Sequence, residues 1–291
     1  MTLGRPQLRT LLHPRSFALI GASDKSTFSS LLFGNLVSHG HGERTFLVNP
    51  RSERVHGVAT YPACTAIGST VDLAVVMVPA ERVPDALRDA AQAGASSAVV
   101  LSSGYAETGP AGRQRQEDLV RLARELGITM LGPNVLGFVN VAAGIPAIAL
   151  ADPPVEPGGV ALISQSGASC GAMKDFAALS AVKLSHLVTV GNEAMVGVAH
   201  LVDHFVEDDA VRAIAVFMEG VRDAPLFASA ARRAAEAGKA LVVLKVGRSE
   251  LAARSAASHT GALVGDDRVV DAVFRELGVI RVDSVEELLV T

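Results

Sequence analysis

The feature that most constrains this chain is a rhythm. Short apolar, β-branched runs recur, each ends in small or turn-forming residues, and a helical pattern separates most of them. In the first half the runs are FALIGAS, TFLVNP, LAVVMVP, SAVVLSSG and TMLGPN. Between them, RVPDALRDAAQAG puts Val83, Ala86, Leu87 and Ala90 on one helical face, and RQRQEDLVRLARELG does the same with Leu119, Leu122 and Leu126 before Gly127. Continuously apolar strands joined by amphipathic helices mean parallel strands, buried on both faces and linked by right-handed crossovers. The spacing predicts a Rossmann-like sheet from about Ser16 to Val141, in a first domain at residues 1–143. The stretch ALADPPVEPGG reads as a linker, placed at 144–158. VALISQSG, LSHLVTVGN, AIAVFMEG, ALVVLKVGRS and VIRVD then predict a second parallel α/β unit, flavodoxin-like, at 159–291.

Composition supports two cores and removes several function classes. The 291 residues are 49% hydrophobic with mean hydropathy +0.35. The net charge is -4 and basic residues form no tract, which argues against a nucleic-acid partner. No apolar run approaches the roughly 18–20 residues of a membrane span, and MTLGRPQLRTLLHPRS lacks the apolar centre of a secretory signal. The expectation is a cytoplasmic protein with no membrane role. Cys64 and Cys170 are too few for a disulfide scaffold and are expected to be buried thiols. His200 and His204 could share a helix face, but no third ligand stands nearby, so no metal site is expected.

Ligands of such sheets bind beyond the carboxyl ends of the strands. In the first domain those ends read Gly21-Ala22-Ser23, Asn49-Pro50-Arg51, Val78-Pro79-Ala80, Ser103-Gly104 and Gly132-Pro133-Asn134. Any strand-to-helix loop needs turn residues, so no single loop decides the matter. The G-x-G-x-x-G fingerprint is absent after the first strand. The second strand ends in NPRSER rather than in the acid that holds an NAD ribose. Arg51 suits a phosphate on a ribose, as in NADP or coenzyme A, and the pattern leans away from a dinucleotide.

Three strand ends of the second domain carry candidate chemistry. ISQSGAS follows a strand and opens a helix, so Ser164, Ser166 and Gly167 offer hydroxyl and N–H groups to an anion, or serve as an ordinary helix cap. FMEG leaves Glu219 at the end of an apolar strand, in a crevice or in a salt bridge. LKVGRSELAARSAASHTGALVG sets Lys245, Arg248 and Arg254 before His259, which stands among small residues. Imidazole is a good nucleophile near neutral pH, and a carboxylate on one ring nitrogen fixes the tautomer that attacks through the other. Phosphate-binding N–H groups, a carboxylate and a histidine with small neighbours make a phosphohistidine constellation; the alternative is a capping or loop histidine.

Taken together, ALIGAS, LVNPR, VMVPAERV, SSGYAETG, GPNVLGFVN, GGVALISQSGA, VTVGNEA, FMEGVRD, VLKVGRS and SHTGALVG resemble the NDP-forming (ADP-forming) acyl-CoA synthetases, relatives of the succinyl-CoA synthetase α subunit, over nearly the whole chain. The resemblance implies a first domain that binds coenzyme A through Gly21, Ala22, Ser23, Arg51, Pro79 and Ala80. It implies His259 as the phosphorylated residue, Glu219 as its carboxylate partner, and Ser164, Ser166 and Gly167 as phosphoryl holders. Gly132, Pro133, Asn134 and Asn192 would stand in loops near the substrate. The implied reaction is acid + CoA + ATP ⇌ acyl-CoA + ADP + phosphate, through phosphohistidine and acyl phosphate. ATP or ADP, with Mg2+, would enter only through an ATP-grasp domain or β-type subunit, because this sequence holds no ATP-grasp pattern. Homo-oligomerisation stays open.

The sequence departs from the family in three places. A glycine of the CoA loop is replaced at Ser29 or Ser30, the cysteine of GPNCLG is Val135, and Met195, Gly197 and His200 stand near positions that often hold aspartate. The last departure and the missing nucleotide-binding part motivate an alternative, a catalytically inactive CoA- or acyl-CoA-binding regulatory module. An NADP-linked oxidoreductase would rest on Arg51 and the first fold alone. DSVEELLVT begins a helix with Ser284 as N-cap and Glu287 as its capping-box partner, which suggests a longer polypeptide or a subunit awaiting its partner.

If Arg51 meets the ribose phosphate, Arg51→Ala weakens CoA by about 1.5–3 kcal/mol more than dephospho-CoA, the worth of a charge-assisted hydrogen bond. Calorimetric titration of both ligands measures the difference, and equal losses would place Arg51 elsewhere.

Overall fold

The structure, a computed structural model, describes residues 4–247 and 267–290. Arg248, Arg254 and His259, with the expected phosphohistidine loop, lie outside the described residues.

The first sheet runs in the order β3-β4-β2-β1-β5-β6-β7. Its strands are β1 (Phe17–Ile20), β2 (Thr45–Val48), β3 (Arg54–Val55), β4 (Val58–Tyr61), β5 (Leu73–Val76), β6 (Ser97–Val100) and β7 (Thr129–Leu131). All pairings are parallel except that of the short β3 with β4. The period of two along a strand decides the layers. Phe17 and Leu19 join one apolar cluster with residues of α1 (Arg5–Leu12) and α2 (Thr27–Ser38). Ala18 and Ile20 join another with residues of α3 (Val83–Gln92) and α4 (Pro110–Glu125). Burial on both faces is why these strands read as unbroken apolar runs.

The second sheet has the order β14-β13-β12-β10-β11-β8-β9. Its parallel body is β10 (Val160–Ser164), β11 (Leu184–Thr189), β12 (Ala213–Met218), β13 (Ala240–Lys245) and β14 (Ile280–Val282). One face packs on α5 (Gly167–Leu179) and α9 (Val285–Val290), through Cys170, Met173, Leu288 and Leu289. The other packs on α6 (Val198–Val206), α7 (Ala224–Glu236) and α8 (Asp267–Glu276), through Phe205, Phe227 and Phe274. Both cysteines are buried free thiols. Ser284 caps α9 by accepting the Glu287 N–H, while the Glu287 carboxylate reaches back one residue further than expected, to the Asp283 N–H.

The α/β class and the two units are as expected, but the sheets are mixed rather than purely parallel. β8 (Gly137–Asn140) and β9 (Ile145–Ile148) form an antiparallel hairpin on the edge of the second sheet, β8 pairing with β11. The sheet pairing therefore does not follow the expected boundary at 143 and linker at 144–158. The reason is local: four residues separate the two strands, too few for a crossover helix, so only an antiparallel return is open to them. Gly137 makes the close pairing feasible, since a Cβ there would lie 2.1 Å from the Ala147 carbonyl oxygen.

The first domain holds this hairpin with buried amides. Asn35 of α2 donates from Nδ2 to the carbonyls of Ile148 and Leu150, both at 2.9 Å. Asn140 donates to the Leu12 carbonyl at 3.1 Å, and His41 Nε2 lies 2.8 Å from the Gly144 carbonyl. Phe138 and Ala147 of the hairpin join the cluster that contains Leu32 and Leu36 of α2, and that cluster runs on beneath the second sheet. Asn35→Ala strips a donor from two carbonyls at once. The expected loss is about 1–3 kcal/mol of folding stability in urea denaturation. A change under about 0.5 kcal/mol, the scatter of surface substitutions, would show that strand pairing alone holds the hairpin.

Candidate functional site

Each sheet has one place where the strand order reverses, and in such sheets that is where ligands bind, beyond the strand ends. In the first sheet it lies between β1 and β5, whose ends are Gly21–Ser23 and Val78–Ala80. In the second it lies between β10 and β12, whose ends are Ser164–Ser166 and Glu219–Gly220. The sequence candidates therefore fall at both reversals.

At the first reversal, Gly21 has φ +87° and a Cβ on it would lie 2.8 Å from Val78 Cγ1, so only glycine fits between the two loops. Asn49 joins the end of β2 to this turn by donating to the Ala22 carbonyl at 2.8 Å, and its own Oδ1 accepts the Arg51 N–H at 2.8 Å. The Arg51 side chain is exposed. Ala22 and Ala80 are buried and Pro79 is exposed. Tyr105 donates to the Ala80 carbonyl at 3.2 Å and ties in the loop after β6. Ser29, one of the two serines at which the expected glycine is replaced, is fully buried. Its hydroxyl accepts the Ser23 N–H at 3.0 Å and lies 2.8 Å from His56 Nε2. The His56 ring stacks on Phe33, and its Nδ1 lies 3.3 Å from Asp24. Ser29 thus braces the turn.

At the second reversal the organising residue is one that the sequence reading passed over. Gln165 sits between the end of β10 and the cap of α5 and is buried. Its Oε1 accepts the N–H groups of Glu219 and Gly220, and its Nε2 donates to the Gly220 carbonyl at 2.7 Å and to the Glu193 carboxylate. Ser164 accepts the Ser166 N–H at 3.2 Å and donates to the Ser166 carbonyl at 2.7 Å. Ser166 is the N-cap of α5 and accepts the Ser169 N–H, with Gly167 as the first helical residue. An α-helix leaves its first N–H groups without intrahelical acceptors, which makes this end attractive to an anion. Lys245, the last residue of β13, lies beside the end of β12 and is buried. Burial holds its ammonium below the ordinary lysine range, against the attraction of Asp267 and Glu219.

The two domains are joined by backbone. After β7 and β11 the chain runs side by side: Asn192 N–H donates to the Pro133 carbonyl at 3.0 Å, Ala194 to Gly132 at 3.2 Å and Val196 to Met130 at 3.3 Å. A Cβ on Gly191 would lie 2.2 Å from the Asn134 carbonyl oxygen, so the glycine is required by this contact. Asn192 is buried and its amide donates to Glu107 and to Gln116, while Asn134 donates to its Oδ1 at 3.3 Å. Burial alone would raise the Glu107 carboxyl, but donors from Asn192, Gly104 and Tyr105 outweigh it and hold it below the usual range. Gly132, Pro133, Asn134 and Asn192 thus form the joint between the domains.

The departures at 195–200 become intelligible here. α6 begins after Gly197, which has no side chain to cap it. Glu193 supplies the cap from outside the helix, accepting the Val198 N–H at 3.2 Å, and His200 Nδ1 accepts the Gly197 N–H at 3.3 Å. Burial lowers the His200 pKa, which keeps the ring neutral and able to accept. Burial also pushes the Glu193 carboxyl up to about 7, against the opposing pull of Arg222, Gln165 and Val198. Among the described residues, no three His, Cys, Asp or Glu side chains are grouped to hold a metal ion, and no helix is long and apolar enough to cross a membrane.

Residues 15–140 match the CoA binding domain and residues 157–291 the succinyl-CoA ligase like flavodoxin domain, so two reversals of strand order belong to two domains of defined class in tandem. The chain belongs to the NDP-forming acyl-CoA synthetase family. It is 37% identical over 285 residues to the acetate–CoA ligase (ADP-forming) I subunit alpha of Pyrococcus furiosus, covering 96% of this chain and 61% of that protein. It is 33% identical to the acetate–CoA ligase (ADP-forming) II of Archaeoglobus fulgidus, covering 97% of this chain and 42% of that one. The structure of the dinucleotide-forming acetyl-coenzyme A synthetase 1 of Ca. Korarchaeum cryptofilum, in complex with phosphate and ADP, superposes with a TM-score of 0.89 at 33% identity, over 97% of this chain and 61% of that one. The chain thus spans about three-fifths or less of the length of these relatives.

The raised Glu193 carboxyl has a signed consequence. Between the ordinary glutamate value of 4.5 and about 7, the folded state keeps a proton that the unfolded state has released. This contribution to stability is complete below the lower value and is lost as pH rises to the upper one. Urea denaturation across that window should show stability falling with pH, and Glu193→Gln should remove that part of the slope. An unchanged slope in the variant would assign the titration to another group.

Proposed function

We propose that this chain is the α-type portion of an ADP-forming acyl-CoA synthetase, working with an ATP-grasp domain or β-type subunit in the cytoplasm. The observation that carries the reading is the tandem of a CoA-binding reversal and a phosphoryl-type crevice, held in register by one backbone joint. Coenzyme A is taken up at the first reversal. Gly21, Ala22 and Ser23 bring backbone against its phosphates, Arg51 meets the ribose phosphate, and Pro79 and Ala80 flank its body. At the second reversal the phosphoryl group sits at the N-terminus of α5, where Ser166 and Gly167 contact it and Ser164 fixes the turn that presents them.

ATP, with Mg2+ on the partner, phosphorylates His259. Glu219 holds one ring nitrogen and steadies the positive imidazole as the other accepts phosphorus. The phosphoryl group then passes from nitrogen to the carboxylate oxygen of the acid, giving an acyl phosphate. The CoA thiolate attacks its carbonyl carbon, the C–O bond to phosphate breaks, and phosphate leaves. Each step replaces one hard transfer by an easier one. The domain joint at Gly132–Asn134 and Asn192 keeps the thiol and phosphoryl sites facing each other. The relatives bear the names of different acids, acetate, 4-hydroxybutyrate and trans-ferulate among them, so the family alone does not choose the acid. The departures that suggested an inactive regulatory module have a structural use in capping α6, which supports the catalytic reading over that alternative.

The test is incubation with the ATP-grasp partner and γ-labelled ATP. The chain should take up acid-labile label, and His259→Ala should take up none. Glu219→Gln should slow labelling about 100-fold, the scale of one lost electrostatic contact, while CoA affinity stays near normal. Full labelling of the His259→Ala variant would overturn the assignment.

A further inference from the structure

One residue away from Glu219, a cavity of about 310 Å³ opens at the carboxyl end of β12. Its apolar wall is built from buried side chains, Val198 and Ala199 of α6, Met218 of β12 and Phe227 of α7, with Met195 beside them. Its polar wall is Glu193, His200, Gly220, Arg222 and Asp223, and Arg124 reaches it from α4 of the first domain. Gly220 and Glu193 are the same groups that Gln165 ties to the Glu219 backbone. The cavity and the phosphoryl crevice therefore share one hydrogen-bonded wall.

We propose that this cavity receives the side chain of the carboxylic acid, and that the acid is a monocarboxylate with an apolar group of about the size of a phenyl ring, not acetate. The inference rests on the function proposed above and names the substrate class for it. Size argues for it: an apolar cavity of about 150 Å³ already accommodates benzene. An acetate methyl would leave most of the apolar wall without contacting atoms, and such a void forfeits dispersion energy. Polarity argues for it as well. A carboxylate has Arg222 on the polar wall, while Val198, Ala199, Met218 and Phe227 offer carbon and sulfur to the apolar group. Burial drives Glu193 toward its neutral form, which reduces the repulsion that the acid's one carboxylate would meet there.

The occupants that compete are acetate and the pantetheine arm of CoA, and two substitutions of opposite sign separate them. Ala199→Phe fills the cavity and Met195→Ala enlarges it. The full chain with its ATP-grasp partner is assayed for kcat/KM with 3-phenylpropanoate and with acetate, after His259 labelling has been measured. CoA titration of each variant reports both folding and any pantetheine contact. We expect the unsubstituted chain to prefer 3-phenylpropanoate by about tenfold or more, the discrimination that apolar pockets achieve. Ala199→Phe should erase that preference, and Met195→Ala should move it further toward bulky acids, both with unchanged CoA affinity. Preference for acetate, or a ratio that neither substitution moves, overturns the proposal while labelling still upholds the enzyme. CoA binding weakened by Ala199→Phe but normal in Met195→Ala assigns the cavity to pantetheine and also overturns it. Absence of His259 label removes the parent reading, and the proposal falls with it.

Discussion

Six residues of backbone after β11 hold the chemistry of this molecule in place. Residues 191–196 run beside 130–133, and three N–H groups cross from the second domain to carbonyls of the first. Those carbonyls and donors belong to strand ends, where every other candidate among the described residues also stands. Side-chain contacts could slip by a rotamer, but paired backbone fixes register. The glycine at 191 and the left-handed Asn134 and Glu193 are the local conformations this crossing demands. Asn192 then turns the joint into a node by bonding Glu107 and Gln116 of the loop and helix after β6.

The second constraint acts from the opposite side. The β8–β9 hairpin leaves the first sheet and completes the second, so the chain is exchanged between layers rather than strung between them. Asn35, His41 and Asn140 satisfy buried carbonyls or amides across this seam. Polar groups that are buried must be paired, and here the pairing fixes orientation where apolar contact alone would tolerate sliding.

How much of this was legible follows from what each residue answers to. The parallel strands were legible because burial on both faces leaves no polar alternation. The strand ends that meet at both reversals were legible because loops there announce themselves by glycine, serine and proline, whereas the strand order was not. The hairpin was not, because a four-residue apolar strand has the same composition whichever sheet it joins. Gln165 was hidden inside ISQSG, where the serines advertise a helix cap and a glutamine advertises nothing. Its only signal was a polar side chain between a buried strand end and an N-cap, a position with no solvent to satisfy it. Glu193 stood inside a quoted motif, yet its role depends on Gly197 lacking a cap and on burial that no local pattern reports. The altered residues 195–200 read as losses in one dimension, and in three they are a different solution to starting the same helix.

The apolar cluster that passes from α1 and α2 through the hairpin to α6, α7 and α8 bears on how the chain comes apart. A stretch rich in proline and glycine looks like a place to cut, but the seam between these units is not in that stretch. A cut there would leave Phe138 and Ala147 on the same piece as Leu32 and Leu36, while β11, the strand that pairs with the hairpin, would lie on the other piece. Melting should accordingly be one event for both units, and a nick at residues 151–158 should leave two pieces that remain bound to each other.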